Sequence, residues 1–205
     1  GFPEALYRLD YKAPGDPTLA QVIQTLLREA GGDVVLDSNR GLDHGAWVPL
    51  RYLFPDADLP VIKVSMPYPW NPSICLAMGR ALAPLSSQGI LLLGSGGLTH
   101  NLGHYRGQPR EAEVLPYVGP FAEWFDDHLG RGAIDTLLDY RQQAPGALLA
   151  HPEDDHLMPL FFALGAGGEG GVTRLHNGVT HGILAMDIFA FGDSERLLSD
   201  PNALD

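Results

Sequence analysis

A short apolar run that ends in a glycine-rich turn is the feature that most constrains how this chain folds. Residues 89–102 read GILLLGSGGLTHNL. The apolar run at 90–93 is too short for a typical helix and is bounded by glycine, which predicts a buried strand. The three glycines that follow allow backbone angles that other residues avoid, so we expect a tight turn at the end of that strand.

The turn delivers three polar residues, Thr99, His100 and Asn101, to one place. In open parallel sheets, ligands bind just beyond the carboxyl ends of the strands, which is where this turn would lie. A histidine there can move protons near neutral pH, because its unperturbed pKa is about 6.5. The alternative is a glycine turn of the phosphate-binding type followed by an incidental histidine.

Alternating strand and helix patterns predict an α/β fold: a single domain over residues 1–205, with a mostly parallel central sheet flanked by helices. The pattern predicts strands at 33–37, 61–65, 90–93 and 180–191, and helices at 17–30, 71–84, 120–130, 133–143 and 153–164. The segment 101–114 is glycine-rich and polar, and we expect it to form a loop over the site.

Charge and cysteine content exclude several classes of partner. The chain has 205 residues and a formal net charge of −12, with 25 acidic against 13 basic residues. A nucleic acid or an anionic membrane surface is therefore disfavoured, because both require clustered lysine and arginine. The single cysteine, Cys75, excludes a disulfide within the chain. With no apolar run near the length of a membrane span and no signal sequence, we expect a cytoplasmic protein.

The eight histidines are the most informative candidate ligands. His44 lies beside Asp43 in a glycine-flanked loop, and His151 and His156 bracket the acidic residues 153–155. Imidazole and carboxylate together are ligands of iron, zinc and manganese. The alternative for each histidine is a surface position or a satisfied core position. The alternative for the acidic residues is a favourable interaction with the dipole of a helix that starts there.

Other chemistries have weaker support in the sequence. The glycine turn is followed by no Lys-Ser/Thr pair and lacks the G-x-G-x-x-G spacing of a dinucleotide site. No G-x-S-x-G elbow occurs, so Ser95, among the glycines, is a low-ranked hydrolase nucleophile. Cys75 falls in a helical pattern and is predicted to be a core residue rather than a nucleophile.

Five ordered blocks spread over nearly the whole chain resemble the class III extradiol ring-cleavage dioxygenases, in the branch that includes the 4,5-DOPA dioxygenases. The blocks are GLDHGAWVPL (41–50), FPDADLPV (54–61), GSGGLTHNL (94–102), FAEWFDDHL (121–129) and HPEDDHLMPLFFALGA (151–166). Five blocks in the same order are far more specific than any one motif.

The resemblance implies a non-haem Fe(II) enzyme, sometimes isolated with Zn(II), that uses O₂ to open a catechol ring beside its two hydroxyl groups. It implies that His156 is one of three histidine ligands of the metal. It also implies that His100 is the acid–base residue and that His44 lines the substrate pocket. The expected partners are a small catechol-type substrate and O₂.

The other two metal ligands of that branch come from amino-terminal His-Gly and Ala-His-Trp motifs, which these 205 residues do not contain. We therefore expect the chain to lack the amino-terminal strands of the catalytic domain. Two alternatives stay open: a non-catalytic binding or signalling relative of the same fold, and a metal-dependent or serine-dependent hydrolase. The sequence leaves open the particular catechol, the metal in the cell and the oligomeric state.

Overall fold

Helices carry most of the structure, and the strands are short. The computed structural model describes Glu4, residues 8–168 and residues 170–192, in two units, Gly1–Ser65 and Met66–Asp205. The α-helices are α1 (Pro17–Glu29), α2 (His44–Leu53), α3 (Pro72–Leu82), α4 (Val118–Gly130), α5 (Ile134–Leu138), α6 (Tyr140–Gln143), α7 (Ala147–Ala150) and α8 (Met158–Ala166). The strands are β1 (Val172–His176), β2 (Val179–Thr180), β3 (Leu184–Ala185) and β4 (Ile188–Phe191), and 3₁₀ turns occupy Ala83–Gln88 and Leu102–His104.

In the first unit, α1 begins where the sequence predicts. The carboxylate of Asp16 accepts hydrogen bonds from the amides of Thr18 and Leu19, each at 2.9 Å, and satisfies donors that the first helical turn leaves unpaired. Ile23 and Leu27 are buried on one face of the helix. The predicted helix at 17–30 is thus confirmed.

The segment around His44 differs from the prediction. The sequence placed His44 in a glycine-flanked loop, whereas the structure starts α2 at His44, directly after Asp43. Lys63 Nζ lies 3.0 Å from Asp43 Oδ2 and donates to the carbonyl of Gly41 at 3.1 Å. This lysine therefore holds the turn that leads into α2.

In the second unit, α3 and α8 cross at glycines. A Cβ atom on Gly79 would lie 2.0 Å from the carbonyl oxygen of Phe162, and one on Gly165 would lie 2.1 Å from that of Leu76. Only glycine permits this approach of two helix backbones. Beside the crossing lies an aromatic core of fully buried rings, namely Phe121, Phe125, Tyr140 and Phe161.

Three of the four predicted strands are not found among the described residues, and the fourth, at 180–191, is divided into the end of β2, β3 and β4. The segments 33–37, 61–65 and 90–93 are not helical, as expected, but none of them is a hydrogen-bonded strand. Within the described ranges, β1 pairs with β4 and β2 with β3, both antiparallel, so the predicted mostly parallel central sheet is not formed. The side chains of Val35 and Leu91 are 80% and 65% exposed. An apolar run favours an extended backbone, but a strand also requires a partner in register, which local sequence does not specify.

Two helix predictions also change. The predicted helix at 133–143 is interrupted at Asp139, which ends α5 and precedes α6. The predicted helix at 153–164 begins only at Met158, after a series of turns over 152–157. Contacts between distant side chains hold those turns, as described below.

Two further predictions can be compared with the structure. Cys75 is fully buried in α3, which confirms it as a core residue, and burial raises the pKa of its thiol to about 11. Among the described residues, no helix has both the length and the apolar character needed to cross a membrane.

Candidate active site

His100 and His156, which are 56 positions apart in the sequence, lie face to face. Their ring centroids are 3.5 Å apart and the ring planes differ by 7°. His100 follows the glycine-rich segment 94–97 and the bend at Leu98 and Thr99, and His156 lies in the turns that precede α8. The structure therefore brings together two of the three residues that the sequence singled out for a role.

The glycine-rich segment 94–97 makes this meeting possible through close approach of the backbones, and the tight turn predicted there is not found, since the chain bends only at Leu98 and Thr99. The amide of Gly97 donates to the carbonyl of His156 at 2.9 Å. A Cβ on Gly96 would lie 2.1 Å from that same oxygen, and one on Gly94 would lie 2.3 Å from the carbonyl oxygen of Pro159. None of these three glycines has a positive φ, so the predicted reason, unusual backbone angles, is wrong. Contact with the chain around His156 is what requires glycine at positions 94 and 96.

Thr99 fixes the backbone directly before His100. Its hydroxyl donates to the carbonyl of Ile183 at 2.8 Å and accepts from the amide of Ala185 at 2.7 Å. The side chain is 1% exposed, so both polar functions of the hydroxyl are satisfied in the interior. Residues 183–185 thus anchor the bend that carries His100.

His100 and Asn101 are fixed from another direction. The amide of His100 donates to the carbonyl of Ala150 at 2.9 Å, and Asn101 Nδ2 donates to that of Leu149 at 2.8 Å. The polar trio at 99–101 is therefore held by contacts on both flanks. Such restraint keeps a functional side chain in one orientation.

The electrostatics favour a neutral His100. Burial lowers the pKa of His100 and the neighbouring His156 lowers it further, while Asp155 opposes the shift. Nδ1 of His156 lies 2.9 Å from Asp155 Oδ2, but it makes no hydrogen bond to any described residue. Burial raises the pKa of Asp155, but the contact with His156 outweighs this, so the pKa lies below its usual value. Asp155 is consequently a carboxylate at neutral pH.

His151 lies behind the pair and is completely buried. Its Nε2 is 2.8 Å from the carbonyl oxygen of Leu98, so Nε2 carries the proton and donates it to that oxygen. Nδ1 has no hydrogen-bond partner among the described residues. Burial lowers the pKa of His151 to about 4. This histidine is a neutral support for the segment that leads to His100.

Asp154 shapes the turns that carry His156. Its carboxylate accepts from the hydroxyl of Tyr140 and from Nη1 of Arg141, and Arg141 also donates to the carbonyl of His151 at 3.1 Å. The suggestion that acidic residues 153–155 favour the start of a helix is wrong, because α8 has no acidic residue in its first turn. The charge of Asp154 serves tertiary contacts instead.

The residues of this pair fit a metal only in part. His156 offers one imidazole, a ligand type suited to iron or zinc, although its Nδ1 is buried and lies 2.9 Å from Asp155 Oδ2. Within the described ranges, however, no group of three or more His, Cys, Asp or Glu side chains could hold a metal ion. His156 is therefore a single ligand, and these residues alone do not complete a metal site.

The third predicted site residue, His44, lies in the first unit, as the first residue of α2. In the loop before it, the hydrogen bond from Lys63 is the main cause that lowers the pKa of Asp43. The role of His44 in a substrate pocket stays a prediction.

Sequence reasoning missed the supporting residues, in particular Asp154, Asp155 and the buried role of His151. The one available signal was their position between two histidines in HPEDDH. Burial and hydrogen-bond partners, which separate a ligand from a support, depend on Tyr140 and on Leu98, which lie elsewhere in the chain.

A family model and two similar proteins all point to ring-opening dioxygenases. The model of the family described as the catalytic LigB subunit of aromatic ring-opening dioxygenase matches residues 2–187. The chain is 40% identical over 194 residues to a 4,5-DOPA dioxygenase extradiol of Beta vulgaris, covering 93% of this chain and 71% of that protein. It is 36% identical over 195 residues to the 4,5-DOPA dioxygenase extradiol of Escherichia coli K12, covering 91% of this chain and 69% of the relative.

A solved structure is also similar. The crystal structure of an uncharacterized protein from Escherichia coli K12 superposes with a TM-score of 0.78 at 32% sequence identity. The match covers 90% of this chain and 77% of that one.

Proposed function

Because the chain belongs to the LigB family of aromatic ring-opening dioxygenases, we propose that it opens a small catechol-type ring beside its two hydroxyl groups, using O₂ and a non-haem Fe(II) ion. Membership makes it an extradiol ring-cleaving dioxygenase, and the substrate class, metal and oxidant are the proposal. The observation that carries it is the stacked pair of His100 and His156 beside the glycine-rich segment 94–97.

We assign the acid–base role to His100. A catechol must lose hydroxyl protons to bind as a chelating anion, and a later step returns a proton, so the group needed must both accept and donate near neutral pH. His100 is partly buried, and its backbone and both neighbouring side chains are held by hydrogen bonds. The backbone that carries the imidazole is thus held in place, with the ring centroid 3.5 Å from that of His156.

We assign His156 as one metal ligand, with Zn(II) as the alternative ion in the purified protein. When bound, the metal supplies chelation of the two catechol oxygens and a coordination position for O₂. Asp155, beside His156, contributes a negative charge that favours a cation at this point. The remaining ligands of the family are expected from its amino-terminal histidine motifs, so the tests below use the full-length gene product beside the 205-residue chain.

We assign His44 to the substrate pocket, where an imidazole can hydrogen-bond a catechol oxygen or ring substituent. His44→Ala is expected to raise KM more than it lowers kcat. His44→Gln keeps a hydrogen-bonding side chain and is the matched control. A loss confined to kcat, with KM unchanged, would contradict this assignment.

The second candidate function is a catechol-binding relative without turnover. The observation that favours it is that the described residues hold no three-ligand metal group. Such a protein would bind catechols, detectable by calorimetry, but would neither consume O₂ nor form product. A hydrolase centred on Ser95, by contrast, would act without O₂.

The deciding experiment is anaerobic loading with Fe(II), addition of catechol or DOPA, and then admission of air. The proposal predicts a yellow ring-opened product and uptake of one O₂ per product. His100→Ala should abolish turnover and leave bound metal unchanged, whereas His156→Ala should lower the metal content measured by elemental analysis. Absence of product from the metal-loaded full-length protein would overturn the proposal.

We further propose that the segment 90–93 is a strand of a parallel sheet in the complete domain and that the protein works in the reducing cytoplasm. Alternate leucines of this segment, Leu91 and Leu93, are exposed, as expected for a strand face that still needs a cover. Slow amide exchange at 90–93 in the full-length protein would support the sheet, and fast exchange there would contradict it. Cell fractionation tests the location.

A further inference from the structure

His181 has a backbone conformation that is unusual for its residue type. Its φ is +54°, and among the described residues Ala57 is the one other non-glycine residue with a positive φ. This left-handed region brings Cβ close to the following carbonyl and persists only where the surroundings enforce it. The surroundings of His181 are therefore informative.

His181 contacts a loop that begins directly after the polar trio at 99–101. The amide of His181 donates to the carbonyl of Arg110 at 2.7 Å, and its carbonyl accepts from Nε2 of Gln108 at 2.9 Å. Its Nδ1 lies 3.0 Å from the carbonyl oxygen of Gln108, which can only accept, so Nδ1 carries the proton. The ring of Tyr105 meets the imidazole edge to face, with centroids 5.4 Å apart.

The next residue fastens the end of the same loop. The carbonyl of Gly182 accepts from the amide of Leu115 at 2.9 Å. A Cβ on Gly182 would lie 2.2 Å from the carbonyl oxygen of Glu113, so the two backbones are in direct contact. The turn at 181–182 thus holds residues 102–115, which we call the His100 loop, near its middle and at its end.

The same turn continues into the anchor of His100. Ile183 and Ala185 hold the hydroxyl of Thr99, the residue before His100. One short segment, 181–185, therefore fixes both the residue before His100 and the loop after it. The loop leaves Leu102 and Tyr105 substantially exposed, which gives it an apolar surface for an aromatic ligand.

We propose that His181 is a positioning residue for substrate specificity: it holds the His100 loop so that this loop contacts the ring substituent of the catechol. The inference rests on the proposed function. It assigns His181 no contact with the reacting atoms. The contacts of His181 with the His100 loop therefore govern how tightly a substituted catechol such as DOPA binds, and they have little effect on the binding of unsubstituted catechol.

The test compares wild type, His181→Gly and His181→Asn in the metal-loaded full-length protein. Glycine keeps the left-handed backbone and removes the side-chain bond, whereas asparagine tolerates that backbone and places an amide N–H where Nδ1 lies. Ala57→Gly is the matched control, because it relieves the same backbone conformation away from the loop. The readouts are hydrogen exchange of amides 104–112 and the kinetic constants for DOPA and for catechol.

His181→Gly is expected to speed exchange in the loop and to raise KM for DOPA roughly five- to tenfold, the loss expected for one hydrogen bond. KM for catechol and both kcat values should stay near wild type, and His181→Asn should restore most of the DOPA affinity. Ala57→Gly should change neither readout.

Two results would overturn the inference. Unchanged exchange in His181→Gly would show that the imidazole does not hold the loop. Faster exchange with an equal change in KM for DOPA and catechol would show that the loop does not contact the ring substituent. If wild type turns over no catechol, the proposed function fails. Hydrogen exchange would still test, independently of activity, whether His181 holds the His100 loop.

Discussion

Replacing Gly96 by alanine gives the most direct test of how the site is built. The added Cβ would lie 2.1 Å from the carbonyl oxygen of His156, about 1.3 Å closer than the 3.4 Å at which ordinary contact begins. The obstacle is backbone, so a rotamer change cannot relieve it. The two segments must separate, and the 2.9 Å hydrogen bond between Gly97 and His156 then breaks.

The expected cost follows from these two effects. Overpacking that forces backbone shifts costs about 1–3 kcal/mol. A lost hydrogen bond adds about 1 kcal/mol. Gly96→Ala is therefore expected to lower the free energy of unfolding by about 2–4 kcal/mol, which for a chain of this size lowers Tm by roughly 5–15 °C. The stacked His100 and His156 should also separate, since His156 is displaced.

The neighbouring glycine provides the control. A Cβ on Gly97 would have its nearest contact at 3.4 Å, and its φ is not positive. Gly97→Ala should therefore be neutral or stabilise by up to about 1 kcal/mol, because alanine restricts the unfolded chain. Thermal and urea unfolding followed by circular dichroism measure both variants. Equal stability of the two would refute the view that close approach, and not backbone freedom, requires glycine at position 96.

Three further predictions concern the core. The pKa of His151 falls from 6.5 to about 4 on folding, so the unfolded chain binds the extra proton between these pH values. The free energy of unfolding is therefore about 3 kcal/mol higher above pH 6.5 than near pH 4 on account of this histidine. Urea unfolding from pH 4 to 7 should show this slope, and His151→Gln should flatten it. Gly79→Ala places a Cβ 2.0 Å from a backbone oxygen and should lower the free energy of unfolding by about 3 kcal/mol. The control, Gly119→Ala, places its Cβ in open space and should not lower it. Identical melting curves of the two variants would contradict the close crossing of α3 and α8. Cys75, buried and with its pKa raised to about 11, should react with a thiol reagent only at the rate of unfolding, and fast labelling of native protein would disprove its burial.

Local patterns sufficed where an element is determined by its own residues. The helix predicted at 17–30 matches α1, which Asp16 caps, and the helix predicted at 71–84 matches α3, which Asn71 caps, because caps and apolar spacing act within one or two turns. The tight turn predicted at the glycines is not found, because residues 94–97 have no turn and the chain bends only at Leu98 and Thr99. Local patterns also failed for the segments 33–37, 61–65 and 90–93, because a strand is defined by a partner that lies elsewhere in the chain.

The candidate site also has features that follow from the sequence and others that depend on the tertiary structure. The sequence by itself determined which chemical groups are available: His100 after a glycine-rich segment, His156 in HPEDDH, and His44 in a motif of the dioxygenase family. The tertiary structure decided that the rings of the first two stack, that His151 is a buried support, and that the turn at His181 clamps the loop after His100. Burial, pKa and backbone contact all depend on atoms from distant parts of the chain. Only the folded chain brings those atoms within a few ångströms of one another.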